Sequence, residues 1–336
     1  MRVMVLGGTR FVGAAIVEEL DAAGHELLLV HRGEHEPDPA DAVAADHLHA
    51  DRRDLPHLRG AVADFDPEGL VDTSATAAAD AETALAAVGE HVRLLVVSSM
   101  DVYRAFAAML AGTETDALPL DEASPVRPER YPYRGHPQLG GEPWAGEYDK
   151  LDVEAPYLAR EATVCRLPMV YGERDYQRRE EPILRRVRAG RSRVPVGAGS
   201  WLFTRGYVRD VAAGVRLALE SDAAIAEVLN LGEARTWTMA LWARHVLEAA
   251  GSAAELVRVP DVLLPGDLQA LGDVPRQHLL VDSSKARDLL GWEQTDPHEA
   301  LRRSVAWHLA NPPEDAANDF SADDRALDQA NWPKLP

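Results

Sequence analysis

A parallel, doubly wound α/β sheet with a smaller α/β lobe towards the C-terminus is the architecture this sequence predicts. Three observations predict it. A short apolar, valine-rich run over residues 1–6 breaks into Gly7-Gly8-Thr9-Arg10-Phe11-Val12-Gly13 and then into an amphipathic stretch ending near Gly24. Apolar runs then alternate with helical stretches as far as residue 103, the pattern of successive β-α-β units. The 336 residues suffice for a large core and two lobes, and 46% hydrophobic with 27% charged is a globular composition.

The opening stretch reads as strand, tight turn, helix. Gly7 lets the chain reverse, Gly13 lets the helix lie close to the strand, and the helix N-terminus aims free backbone N–H groups at an anion in the turn. The expected anion is the pyrophosphate of a dinucleotide, held by Gly7, Thr9, Arg10, Phe11, Val12 and Gly13. Arg10 stands where a second glycine is usual.

The second strand, Glu26 to Val30, ends in His31-Arg32. Folds of this kind that prefer NAD place an acidic residue there for the ribose hydroxyls. Arg32, with Arg10 across the turn, suits a 2′-phosphate instead and favours NADP. A solvated Arg32, with Glu34 in the acidic role, would restore NAD. A third unit closes with Asp51-Arg52-Arg53-Asp54, and Asp51 and Arg52 are expected to border the cofactor. A fourth strand runs from Gly69 to Thr73 into a helix from about Ala78 to Val88. The fifth, Arg93 to Val97, leads into Ser98-Ser99-Met100-Asp101-Val102-Tyr103.

Further on, residues 182–190, 236–250 and 284–310 read as amphipathic helices, with Trp201, Trp237, Trp242 and Trp292 in the core of the second lobe. After Asn311-Pro312-Pro313 comes an acidic tail with Asp315, Asp319, Asp323, Asp324 and Asp328, expected to be loosely ordered or draped over the surface. The domain reading assigns 1–165 plus about 205–232 to dinucleotide binding, about 166–204 plus 233–310 to the substrate lobe, and 311–336 to the tail.

Composition narrows the function. A net charge of −20, from 55 acidic against 35 basic residues, repels nucleic-acid backbones. It suits either a salty cytoplasm or a genome that favours arginine, since only Lys150, Lys285 and Lys334 are lysines. No apolar run is long enough to span a bilayer and no signal segment is evident, so a cytoplasmic protein is expected. The single Cys165 excludes an internal disulfide framework and reads as packing. The twelve histidines are scattered; His47 and His49 share one face of a strand but lack companions, so no metal is expected.

Eight motifs in order carry a family resemblance: GGTRFVG at 7–13, Asp51 after the third strand, SSMDVY at 98–103, YDKLDVE at 148–154, RLPMVYG at 166–172, YVRDVAAGV at 207–215, VLNLG at 228–232 and DSSKARDLLGW at 282–292. With them the chain resembles an extended short-chain dehydrogenase/reductase of the NAD-dependent epimerase/dehydratase kind, over most of its length. The resemblance implies a Rossmann-type fold and a Ser, Tyr and Lys that do the chemistry. The lysine binds the nicotinamide ribose and lowers the tyrosine pKa, the tyrosine exchanges a proton with the substrate oxygen, and the serine orients it. Ser99 and Lys150 fall in their places, and Glu154 follows four residues after the lysine. The tyrosine does not, because Gly146 stands four residues before Lys150. Tyr148 is only two residues away and, at about 100° per residue, would face away on a regular helix; it serves if the helix begins after it. The Gly- and Pro-rich segment 131–147 (Pro132, Gly135, Pro137, Gly140, Gly141, Pro143) would otherwise bring in Tyr131 or Tyr133. Pro156 predicts a kink or restart.

Relatives that handle nucleotide sugars commonly carry Asn before the VYG and an arginine five residues before the later V-x-D. Met169 and Phe203 stand here, with Arg205, Arg174, Arg178 and Arg179 near enough to substitute. The substrate contacts expected are Tyr103, Met169 and Arg205. Arg10, the missing Tyr-x-x-x-Lys and Arg174-Asp175-Tyr176 resemble an atypical branch similar to the chloroplast stem-loop-binding proteins. Two functions follow from the resemblance: an NADP-dependent epimerase, dehydratase or reductase acting by hydride transfer on a sugar, nucleotide sugar or other small hydroxyl or carbonyl compound, or a binding or regulatory protein that keeps the dinucleotide site but has lost catalysis, RNA being one ligand the resemblance offers. The retained Ser99 and Lys150 favour the enzyme. A homodimer through helices near 104–112 and 146–160, the first with an apolar side of Ala107, Ala108 and Leu110, is also implied.

Overall fold

The computed structural model describes residues 1–35, 43–136, 144–272, 275–314 and 318–330. Pro137, Gly140, Gly141, Pro143 and Asp315 lie outside them, as do residues 331–336 with Lys334. The first half runs β1 (Arg2–Leu6), α1 (Phe11–Ala22), β2 (Glu26–His31), β3 (Ala45–His49), α2 (Leu55–Phe65), β4 (Gly69–Asp72), α3 (Ala78–Ala87), β5 (Arg93–Ser99), α4 (Arg104–Leu110), α5 (Lys150–Leu158) and β6 (Thr163–Leu167). The second half runs β7 (Met169–Tyr171), α6 (Glu181–Arg188), β8 (Arg193–Val196), β9 (Arg205–Tyr207), α7 (Val208–Glu220), β10 (Val228–Asn230), α8 (Met239–Ala249), β11 (Glu255–Arg258), α9 (Ser284–Leu290), α10 (Pro297–Ala310) and α11 (Ser321–Asp328).

The predicted α/β class holds. Seven parallel strands form the central sheet in the order β10-β6-β5-β4-β1-β2-β3. Strand order reverses between β1 and β4, and the crevice at that reversal is where such sheets take ligands. Apolar side chains cover both faces. Val3, Val5, Leu27, Leu29, Leu95 and Cys165 pack under α1 and α7, whereas Met4, Leu6, Leu28, Leu70, Val96 and Val164 pack under α3 and α5. Burial pushes the Cys165 thiol up to about 12, as suits a packing residue.

The smaller two-stranded pairings, β7 with β9 and β8 with β11, lie with α6 and α8 beyond the sheet. Three expectations are corrected. The span 284–310 is two helices, because Gly291 takes a left-handed φ of 62° after α9 and Asp296 caps α10 by accepting from the His298 and Glu299 amides. The α5 helix does not restart at Pro156 but runs through it, two residues from its end. Within the tail, Ser321–Asp328 form the ordered helix α11, with Arg186 on α6 holding the Asp323 carboxylate at 2.6 and 2.9 Å in a buried pair.

Candidate functional site

Two clefts meet at the β1/β4 reversal. One, of about 450 Å³, is lined by Gly7, Thr9, His31, Arg32, Glu34, Asp51, Arg52 and Ser74 among others. The second, of about 440 Å³, runs from Gly7, Thr9 and Ser74 along Arg10, Phe11, Val12 and Gly13 to Ser99 and Lys150. The turn is shaped as the sequence requires. Gly7 holds φ of 95°, and a Cβ there would lie 2.5 Å from Thr73 Oγ1; one on Gly13 would lie 3.0 Å from the Gly8 backbone. Helix α1 begins without a side-chain cap, so its first amides face the cleft as anion donors. Among the predicted cofactor residues, Gly7, Thr9, Arg10, Phe11, Val12, Gly13, Arg32, Asp51, Arg52 and Lys150 all line one cleft or the other.

The arginines divide. The Arg32 side chain is 63% exposed and pairs with Glu34 at 2.8 Å, a surface contact weak enough to be exchanged for a phosphate. Arg10 lies over the Tyr176 ring at 4.2 Å and reaches His35 at 3.1 Å. Arg52 is different. Its guanidinium grips buried Asp72 at 2.6 and 2.8 Å and also donates to Ser74 Oγ, so it braces the end of β4 and has little left for a cofactor. Sequence reading missed Asp72, which also accepts from Tyr157 Oη at 2.7 Å; no motif marks it.

Ser99 ends β5 and Lys150 opens α5, where Asp149 caps the helix by accepting from the Leu151 amide. Tyr148 therefore precedes the helix. Its position is set by the loop, and its hydroxyl donates to Asp101 Oδ2 at 2.7 Å, beside Ser99. Tyr133 donates to the same oxygen at 3.1 Å. Tyr133, Trp144 and Tyr148 pack edge to face, with ring centroids 5.1 to 5.5 Å apart. The Lys150 ammonium is buried and donates to the carbonyls of Ala75 at 2.5 Å and Val97 at 3.0 Å. Burial lowers the Lys150 pKa, and burial with the Asp101 charge raises that of Tyr148 well above a free phenol. The lowering of the tyrosine pKa that the resemblance implies is reversed in this arrangement: burial and the Asp101 charge favour the neutral phenol, which donates its hydrogen bond to Asp101. Asp101, 2% exposed, has its pKa raised by burial against the phenol hydrogen bonds; it is the acceptor the sequence reading did not single out.

In the second lobe a cleft of about 220 Å³ is lined by Met169, Arg179, Trp201, Arg205, Met239 and Trp242 among others. Trp201 and Trp242 are thus cleft walls as well as core. It shares Arg179 with the Ser99 and Lys150 cleft. Arg205 is 3% exposed, lies 4.0 Å over the Trp242 ring, and donates to Met239 Sδ and the Trp237 carbonyl. Burial brings its pKa down to about 10, against the nearby Glu233 charge. Tyr103 does not join the site. It is fully buried, donating to Asn230 Oδ1 at 2.7 Å under the Arg166 guanidinium. Glu154 likewise is structural, bound by Arg166 and Ser98.

Behind this cleft Glu180 is fully buried, and burial pushes its carboxyl up to about 7. Between the ordinary carboxylate range and that value the folded protein holds a proton that the unfolded chain has lost. The stability linked to Glu180 is therefore fully present below the ordinary carboxylate range and falls as pH rises from there to about 7. Glu180→Gln, still able to accept from Ser304, will flatten that decline in Tm measured from pH 5 to 8.

A parallel sheet with a glycine-built anion turn at its strand-order reversal defines a nucleotide-binding type of α/β protein. Residues 3–232 match the NAD dependent epimerase/dehydratase family, and the chain belongs to that family. It is 25% identical over 342 residues, 97% of this chain and 84% of the relative, to the chloroplast stem-loop binding protein of 41 kDa b of Arabidopsis thaliana. Solved structures share the fold. UDP-glucose 4-epimerase of Thermotoga maritima with UDP-glucose is 20% identical, covering 91% of this chain and 98% of that one, with a TM-score of 0.68. The dTDP-glucose 4,6-dehydratase of Bacillus anthracis in complex with NAD is 16% identical, covering 93% and 97%, with a TM-score of 0.69. No helix among the described residues is long and apolar enough to cross a membrane.

Proposed function

We propose that this protein is an NAD(P)-dependent oxidoreductase of the epimerase, dehydratase or reductase type, acting on an anionic sugar derivative such as a nucleotide sugar. The observation that carries the reading is the unbroken succession of clefts. The ribose end at Arg32 shares Gly7, Thr9 and Ser74 with the Ser99 and Lys150 cleft, which shares Arg179 with the Arg205 cleft.

Gly7 to Gly13 and α1 would hold the pyrophosphate, Arg32 the 2′-phosphate of NADP, and Lys150 the nicotinamide ribose. The nicotinamide would supply the hydride acceptor. Ser99 orients the substrate oxygen and Tyr148 exchanges its proton, with Asp101 as the reservoir behind the phenol. Arg205, whose hydrogen bonds go only to a thioether and a carbonyl among the described partners, holds the substrate anion. Titration calorimetry tests the reading: NADP⁺ binds more tightly than NAD⁺, and Arg32→Ala weakens NADP⁺ about tenfold or more while sparing NAD⁺. Failure of both nucleotides to bind at low and high salt would refute it. A panel of UDP- and dTDP-sugars followed by nicotinamide absorbance then identifies the substrate.

The Arabidopsis relative's name supports a second reading, a dinucleotide-binding protein that takes an RNA stem-loop. The arginines that would line its groove are engaged within the protein, Arg174 on Glu18, Arg178 on the Asn311 carbonyl and Arg179 on Asp175. With a net charge of −20, this arrangement favours the enzyme.

A further inference from the structure

We propose that His31, His47 and His49 form a binding site for a divalent transition-metal ion, with zinc the ion their chemistry suits best. His47 and His49 are two residues apart on β3 and therefore share one face. The structure supplies the companion that spacing alone did not show. β2 pairs in parallel with β3 so that His31 stands opposite His49 and diagonal to His47. One ligand nitrogen from each of the three lies within 4.8 Å of the others. His31 Nε2 and His47 Nδ1 are already 2.8 Å apart, and the rings of His31 and His49 sit 4.8 Å centroid to centroid.

Three imidazoles converging from two hydrogen-bonded strands form a ligand set of the kind that leaves zinc a fourth position for water or an anion. Among the described residues the converging donors are three imidazole nitrogens, which select zinc, copper, nickel or cobalt over magnesium and calcium. The strands fix the spacing before the ion arrives. His31 is 8% exposed, at the end of β2, whereas His47 and His49 are exposed, so an ion has a path from solvent. β3 is an edge strand of the sheet, and a shared ion would fasten it to β2.

The site also touches the cleft. The Gly33 amide donates to His31 Nδ1 at 3.2 Å, so the neutral ring carries its proton on Nε2, the nitrogen facing His47. Metal at Nε2 requires that proton to leave or to move to Nδ1. In the latter case the Gly33 contact breaks and the Arg32-Gly33-Glu34 turn, which lines the ribose end, must shift.

The test uses the full chain, stripped with EDTA and titrated with ZnCl₂ by calorimetry and with CoCl₂ by visible absorption. One equivalent should bind, Co²⁺ should give the intensified bands of a nitrogen-ligated, low-coordinate ion, and Zn²⁺ should raise Tm. His47→Gln and His49→Gln should each weaken binding at least about tenfold, and the double variant should lose the equivalent and the Tm rise. Both side chains are exposed, so the variants should keep the metal-free Tm of the wild type, and His298→Gln should bind like wild type. Absence of saturable binding, or binding of equal affinity in the double variant, would overturn the proposal.

Discussion

Under the proposed function, Tyr148→Phe should lower the rate of nicotinamide reduction by a sugar substrate about 10²–10⁴-fold, the range a positioned proton donor or acceptor contributes. Dinucleotide affinity should stay within about twofold, because the Tyr148 hydroxyl contacts Asp101 and Ser99 rather than the glycine turn. Stopped-flow absorbance gives the rate and calorimetry the affinity. An unchanged rate would remove Tyr148 from the chemistry and return the choice to Tyr131 or Tyr133. The partner variant is Asp101→Asn. Burial raises the Asp101 pKa above an ordinary aspartate, so wild-type turnover should fall on acidification at a pH above the ordinary aspartate range, as the carboxylate that takes the phenol proton becomes protonated. Asp101→Asn should slow turnover about a hundredfold and abolish that acid limb. A variant that merely disturbed packing would lower the rate without altering the pH profile.

The first half of the fold was legible because local rules and global topology agree there. β1, the Gly7 to Gly13 turn and α1 are written in a few adjacent residues, and the period of the apolar runs specified β4, α3 and β5 nearly to their ends. Ser99 and Lys150 were readable from motif order, and both border one cleft. What the sequence hid depends on side chains meeting across elements. Nothing local marks Asp72 as the partner that occupies Arg52, or Asp101 as the acceptor beneath two tyrosines separated from it by at least thirty residues. His31 joins His47 and His49 only through the β2/β3 register. Tyr103 misled for the opposite reason: it lies in a family motif, yet its hydroxyl is satisfied by Asn230 inside the core. The tail looked unpatterned because α11 is stabilised by one buried ion pair, Arg186 with Asp323, rather than by a wide apolar face.

Arg205→Met separates stability from function at the far end of the same site. A guanidinium held down to about 10 by burial costs the folded state on the order of 3 kcal/mol at neutral pH, from the shift in pKa alone. Its direct partners, a thioether, a carbonyl and the Trp242 ring, offset only part of that cost. Methionine has a similar shape, can pack against Trp242 and Met239, and carries no charge. Replacing a buried charge with an apolar side chain of similar volume is often neutral or stabilising, so Tm should hold or rise, by up to about 2 kcal/mol in stability. Substrate binding should move the other way. Loss of a forked, charge-assisted contact to an anionic substrate weakens affinity roughly tenfold to a hundredfold, while NADP⁺ affinity is unchanged, because Arg205 lies in the second lobe away from the glycine turn. Thermal melts and calorimetry with the reactive nucleotide sugar read the two effects separately. A variant that lost stability and kept substrate affinity would show Arg205 to be a structural cation, its charge balanced by Glu233. A more stable variant unable to bind its anion would identify a buried charge retained for recognition at the expense of the fold.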